Sequence, residues 1–344
     1  MTVKEPYDVV LSSLERKKGE STFREYQRHL RDFREWVSTE YRQSVFGVGP
    51  LEVGEMVDKM LDDGYSVSSI NVRYAALGEF YSEAERLARK RIEPDVTNPM
   101  VHAPELTSWK EIKDRQNEKK RTSEEDVPYL SEEDAKKLIQ NVPQPTVRNE
   151  CMIRLALATG LRRSELVGLK LTDGTWTRDG DHETFTQGPP REIRVRAENA
   201  KNGEKRKIGW PQDAQLDFIL RQWIEDYRPT VAMASESAYL FPSNRSEHLS
   251  GQAFNDVVKG AAEGAGIQET QMVNKAGEER NAVTSHVLRH TFAMRAINTD
   301  WDIYALSSAL GHSSVKVTEQ IYLHDTEEIV LSHFRQKGPS FSDD

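Results

Sequence analysis

The chain has 344 residues, and at roughly 100–200 residues per domain that length suits two domains, each able to bury a core of its own. Lys and Arg number 47 against 56 Asp and Glu, a formal net charge of −9 with a pI near 5.6; the average field opposes nucleic acid, although binding depends on where the cations sit. Charged residues at 30%, a mean hydropathy of −0.70 and a single Cys151, with no apolar run near the ~20 residues of a bilayer span and no leader pattern in Met1–Pro6, argue against a membrane-spanning or disulfide-built protein and lead us to expect a soluble cytoplasmic one.

Over residues 13–38, Phe23, Tyr26, Leu30, Phe33 and Val37 recur at three- and four-residue intervals, which predicts a helix with one apolar stripe. Glu35 falls on that stripe and dilutes it. Arg24, Arg28 and Arg31 fall nearly opposite, where a solvated helix face is the ordinary account of such arginines. A second helix is predicted from about Ser69 to Arg91, with Ile70, Leu77, Phe80, Tyr81, Ala84 and Leu87 inward and cations that include Arg73. With the intervening segment 49–62 these make a small all-helical domain.

Pro94, Pro99 and Pro104 interrupt any helix. Residues 110–126 are mostly charged, with both signs mixed, as in a linker. We therefore expect a helical domain over 1–100, a charged linker over 101–128, a second domain over 129–337 and an acidic tail over 338–344. Ser131, followed by Glu133 and Asp134, marks a helix start, and the helix that begins after Thr146 should end at Gly160. Residues 191–210 alternate around Asn202-Gly203 like a hairpin. Beyond Pro211 the pattern is helical apart from loops at 242–251 and 264–281. Within that stretch Gly311 ends a helix carrying Ile303, Leu306 and Leu310, and Tyr322 falls near the start of another, capped by Thr318.

Three segments carry the chemistry: Ala158-Thr-Gly-Leu-Arg-Arg-Ser-Glu-Leu166, Ser285-His-Val-Leu-Arg-His-Thr-Phe-Ala293, and Leu310-Gly-His-Ser-Ser314 running on to Tyr322. His286, Arg289 and His290, at i, i+3 and i+4, share a helix face and would bind an anion. The same two histidines at zinc-ligand spacing are a rival, but Arg289 on that face repels a divalent cation. Glu165 lies one turn after Arg162 and can orient it; Lys201 stands at the hairpin tip. Two arginines, a lysine, histidines and a tyrosine, without paired carboxylates or a phosphate-binding glycine loop, fit phosphoryl transfer in which protein cations stabilise the pentavalent phosphorus and a tyrosine is the nucleophile. No metal and no cofactor is expected.

On these residues the chain resembles the tyrosine recombinase (phage integrase) family. The resemblance implies a mainly α fold with a small β-hairpin, in which a helical, SAM-like core-binding domain and a mixed α+β catalytic domain form a C-shaped clamp on DNA. It assigns Arg162 as the first catalytic arginine with Glu165 as its buttress, Lys201 as the general acid, His286 and Arg289 as the His-x-x-Arg box with His290 as companion, His312 as the second histidine and Tyr322 as the nucleophile. Two departures stand out: the interval from His312 to Tyr322 is one residue longer than the commonest spacing, and Lys205 and Lys207 compete with Lys201.

The implied reaction passes through a 3′-phosphotyrosyl bond, without metal or ATP. Its implied partners are a double-stranded recombination site, three further copies of the chain on two DNA sites, and accessory DNA-bending or directionality proteins; the free protein is a monomer. Arg24, Arg28, Arg31 and Arg73 are the candidate DNA contacts of the first domain. The short stretch before residue 10 implies no arm-binding domain. The apolar residues Ile329–Leu331 and Phe334 suit docking on a neighbour or on their own domain. A catalytically silent DNA-binding relative and a type IB topoisomerase-like relaxing enzyme are the alternatives. The acidic balance, gathered in runs such as Glu124-Glu125-Asp126 and Asp343-Asp344, suggests a salt-adapted exterior around a basic channel, as in a halophilic archaeal or viral host.

Overall fold

Pro6, in a first helical turn where a missing N–H costs nothing, opens α1 (Pro6–Glu15) in the computed structural model, which describes residues 5–65, 67–89, 97–102, 128–174, 191–200, 203–211, 213–273 and 279–322. The predicted run over 13–38 is divided: α1 ends at Glu15 and α2 spans Glu20–Glu40, with Gly19 extended between them. Glycine, a poor helix former, follows Lys17-Lys18 there. Helices α3 (Pro50–Asp62) and α4 (Val67–Arg89) complete this part.

The predicted stripe is buried at Phe23, Leu30, Phe33 and Val37, while Tyr26 packs at the margin and Glu35 is exposed. Opposite it, Ile70, Leu77, Phe80, Tyr81, Ala84 and Leu87 of α4 are all buried. Each large side chain so covered contributes about 1.5–3 kcal/mol. Glu83, buried on α4, accepts from Ser13 and Arg86 and pairs with Lys17, so one carboxylate ties α1 to α4.

The helices split into two compact units, one before residue 103 and one after residue 127. Residues 103–127 of the expected linker and the whole acidic tail lie outside the described residues. In the second unit Ser131 Oγ accepts the Asp134 N–H at 3.0 Å and starts α5 (Glu132–Gln140). Helix α6 (Thr146–Thr159) buries Cys151, Met152, Ile153 and Leu155 in near succession, the mark of a helix covered on every side. Gly160, at φ 63°, caps it; a Cβ there would stand 2.4 Å from the Phe292 ring. Helix α7 (Arg163–Val167) follows immediately.

Strands β1 (Glu192–Val195) and β2 (Arg206–Gly209) pair antiparallel, with Val195 opposite Arg206. Residues 196–205 therefore connect them, and Lys201 and Asn202 of the predicted turn lie outside the described residues; after β1 the Asn199 and Ala200 N–H groups bond back to the Arg196 carbonyl. After α8 (Ala214–Gln222) and α9 (Gly251–Gly264), the predicted loop at 264–281 contains a second two-stranded sheet, β3 (Thr270–Val273) with β4 (Glu279–Asn281). Helices α10 (Ser285–Asn298), α11 (Ile303–Leu310) and α12 (Val315–Tyr322) end the described chain. Tyr322 is the eighth residue of α12 and does not stand near its start. Thr318 is correspondingly not a cap: it sits fully buried within the helix, because the chain already turns helical after Ser313-Ser314. Among the described residues no helix is long and apolar enough to cross a membrane.

Candidate active site

Arg162 stands at the head of α7 in an extended conformation, φ −65° and ψ 152°. Glu165 reaches back one turn to accept its backbone N–H at 2.9 Å and its guanidinium at 3.0 Å, the reciprocal half of a capping box. Glu165 has no exposed surface. Burial alone would raise its pKa, but hydrogen bonds and charge from Arg206, and then Arg162, hold the carboxyl below the usual carboxylate range. Arg206 grips it with two nitrogens, at 2.9 and 2.8 Å.

The C-terminus of α11 is where these groups meet. The last carbonyls of a helix lack intrahelical partners and carry partial negative charge. Here three successive ones each accept from a different arginine: Ala309 from Arg206 at 2.8 Å, Leu310 from Arg289 at 2.7 Å and Gly311 from Arg162 at 2.7 Å. Arg289, on α10 and buried, also donates to the Gly160 carbonyl at 2.9 Å, so it spans two of the predicted segments. Gly311 takes φ 64°, its N–H returns to Ser308 and the His312 N–H returns to Ser307, which is a Schellman termination. That turn fixes where His312 leaves the helix.

The His312 Nδ1 lies 2.8 Å from Thr318 Oγ1 on α12. Burial, and then the cations Arg289 and Arg162, push the His312 pKa down to about 4; burial, with His286 and Arg289, does the same to His290. Both rings are neutral at pH 7. His286 is exposed, its ring centroid 6.5 Å from that of His290. A cleft of about 310 Å³ opens beside the group, lined by Lys205, Arg206, Gly311, His312 and Tyr304 among others.

Arg162, Arg289 and His312, far apart in sequence, are thus brought together. Lys201 lies outside the described residues, and the structure describes the backbone of Tyr322 but not its side chain. Of the rival lysines, Lys205 lines the cleft, whereas Lys207 is exposed and paired with Glu192 at 3.0 Å. Among the described residues no three His, Cys, Asp or Glu gather as a metal site would need. In the first unit Arg24, Arg28 and Arg31 are exposed on α2; Arg24 pairs with Glu20 at 2.5 Å and Arg31 with Asp32 at 3.7 Å. Arg73, less exposed, reaches Asp32 from α4 at 3.3 Å.

A profile of the "Phage integrase family" matches residues 128–328, and one of the "Phage integrase, N-terminal SAM-like domain" matches residues 11–87. The chain belongs to the phage integrase family. Within it the chain is 28% identical over 327 residues to the tyrosine recombinase XerD of Yersinia pestis, covering 95% of this chain and 94% of that one. It is 26% identical over 312 residues to the tyrosine recombinase XerC of Roseiflexus sp., covering 90% and 85%. The fold is shared with XerH site-specific recombinase bound to a palindromic difH substrate, TM-score 0.60 at 17% identity over 93% and 81% of the two chains. A lambda integrase dimer bound to a COC′ core site gives TM-score 0.59 at 16% identity over 100% and 99%. As a family member the protein is a tyrosine recombinase, an enzyme of site-specific DNA recombination whose partner is a DNA recombination site. The XerD and XerC relatives come from bacteria and lend no support to a halophilic archaeal or viral host.

Two residues of this candidate site were not singled out by the sequence. Arg206 sits in a basic run in which only the lysines drew attention; strand alternation, which turns Arg206 and Ile208 inward and Lys207 outward, is the signal that singles it out. Thr318 was legible only as a helix cap.

Proposed function

We propose that Tyr322 attacks a scissile DNA phosphate, forming a 3′-phosphotyrosyl bond as the phosphate–5′ oxygen bond breaks. Arg162 and Arg289 stabilise the charge on the non-bridging oxygens in the transition state. Arg162 uses two side-chain nitrogens on Glu165 and Gly311, and the rest of its five-donor fork faces the phosphate. A Thr318 hydroxyl that donates to Nδ1 keeps the proton of neutral His312 on Nε2, from which it donates to a non-bridging oxygen. Lys201 protonates the leaving 5′ oxygen, with Lys205 as the nearest described substitute, and His286 and His290 border the phosphate. A 5′ hydroxyl from the partner duplex reverses the step. No metal or nucleotide enters the balance, because one phosphodiester is exchanged for another through the tyrosine.

The helical unit before residue 103 holds the duplex through Arg24, Arg28, Arg31 and Arg73, and the unit over 129–337 performs the chemistry. Four protomers assemble on two sites from a free monomer, with direction set by accessory proteins. The observation that carries this reading is the convergence of Arg162, Arg289 and His312 on the carbonyls and turn that end α11.

The test uses a pool of nicked duplexes of randomised sequence, in which cleavage releases a short strand and traps the enzyme. Wild type should yield an SDS-resistant adduct on a selected subset, and Tyr322→Phe none. An adduct that persists in Tyr322→Phe would overturn the nucleophile, and no adduct with wild type would favour the silent DNA-binding relative. Relaxation of any plasmid without site preference would favour the topoisomerase-like reading.

A further inference from the structure

We infer that Arg206 is a positioning residue for DNA cleavage, acting through Glu165 on Arg162 and through the Ala309 carbonyl on the turn that carries His312; this rests on the recombinase reading above. Arg206 enters the site from β2, with its side chain 10% exposed. Its Nη1 and Nη2 donate to the two oxygens of Glu165 at 2.9 and 2.8 Å, and its Nε donates to Ala309 at 2.8 Å. Glu165 Oε1 also takes the Arg162 guanidinium, and Oε2 the Arg162 backbone N–H. The fully buried carboxylate is therefore bracketed by two cations, Arg162 one turn before it and Arg206 41 residues after it.

Charge decides what the second cation does. A Glu165–Arg162 pair by itself is neutral, and its arginine would offer a phosphate little net attraction. With Arg206 the triad carries one surplus positive charge beside Arg289, while two-point pairing fixes the carboxylate that aims Arg162. The same guanidinium is wedged under Gly311: a Cβ at that position would meet Arg206 Nη1 at 2.8 Å. The side chain is thus held by Glu165, Ala309 and the glycine turn at once. Three of its five N–H donors, one on each nitrogen, serve protein acceptors, which is the geometry of a group that acts through Arg162 and His312.

The experiment measures single-turnover cleavage of the nicked duplexes that wild type captures, comparing wild type, Arg206→Ala and Arg206→Lys. Each is assayed on the ordinary phosphodiester and on a duplex whose scissile phosphate is a methylphosphonate, which lacks one charged non-bridging oxygen. Cleavage by Arg206→Ala should fall about 10- to 100-fold, below the ~10²–10³ of losing a direct oxyanion donor, with DNA affinity unchanged and part of the rate restored in Arg206→Lys. The deficit should shrink on the methylphosphonate, where less charge needs stabilising. A wild-type rate in Arg206→Ala, or an equal deficit on both substrates, would overturn the inference. Thermal melting verifies that each variant folds, and should Arg206→Ala not fold, Arg206→Lys supports the same two-substrate comparison. Absence of any adduct with wild type would instead bring down the recombinase reading, and this inference with it.

Discussion

Thr318 Oγ1 lies 2.8 Å from Nδ1 of His312, joining a buried hydroxyl in the middle of α12 to the ring that leaves the end of α11. The contact couples the helix that carries Tyr322 to the turn that carries His312. Thr318→Val keeps the shape and removes the hydrogen bond, leaving the His312 tautomer unfixed. Losing such a buried partner costs about 1–3 kcal/mol, so the cleavage rate should drop roughly 10- to 100-fold, with DNA binding intact. Single-turnover rates beside an equilibrium binding curve test this; a variant that cleaves at the wild-type rate refutes the role.

Stability should depend on acid in a defined window. In the unfolded chain His290 and His312 take up protons near the ordinary ~6.5, whereas in the folded protein burial and the neighbouring cations delay this to about 4. The unfolded state binds more protons between these values, so stability is complete above about pH 6.5 and is lost progressively as pH falls towards 4. Glu165, held below the usual carboxylate range, extends the loss in the same direction at lower pH. Melting temperature against pH should fall across this window in wild type and fall less steeply in His312→Asn.

Gly160 meets two constraints, a left-handed backbone and the Phe292 ring. A side chain in that backbone region costs roughly 1–2 kcal/mol, and overpacking the ring costs about 1–3 kcal/mol more. Gly160→Ala should therefore lower the melting temperature clearly, and it should lower cleavage as well, because the Gly160 carbonyl anchors Arg289. Phe292→Leu in the Gly160→Ala background should recover part of the stability by making room for the new Cβ.

The exposed arginines of α2 yield a prediction in salt. If Arg24, Arg28 and Arg31 each neutralise one phosphate, replacing all three by alanine lowers the slope of log affinity against log salt by about 0.9 per contact. The loss should be nearly uniform across DNA sequences, and melting should be little affected, since all three are exposed. An unchanged slope would move the DNA surface elsewhere. Arg73→Ala, which breaks the contact with Asp32 between α2 and α4, should lower stability as well as affinity.

Much of the fold was legible because its determinants are local. The stripes of α2 and α4 follow a 3.6-residue period, the Ser131 start needs only its own first turn, and Gly160 and Gly311 mark helix ends that only a residue without Cβ occupies easily. The failures occurred where a short-range signal had two outcomes. Lys17-Lys18-Gly19 became a break, the pairing of Val195 with Arg206 left ten residues between the strands, and Thr318, read as a cap, became an interior residue because Ser313-Ser314 had already turned the chain.

The sequence alone determined the family and offered most of the candidate site residues, because those residues lie in short segments whose order and spacing survive without a structure. The net charge of −9, which first weighed against DNA, was outweighed by those segments. Only the tertiary structure decided how the segments are held together: three arginines from α7's head, β2 and α10 satisfy the three open carbonyls that end α11, and one buried glutamate serves two of them. The partners of Arg206 lie 41 and 103 residues away. Unpaired carbonyls and a buried charge must find donors wherever the fold supplies them, and no local pattern records which side chain that will be.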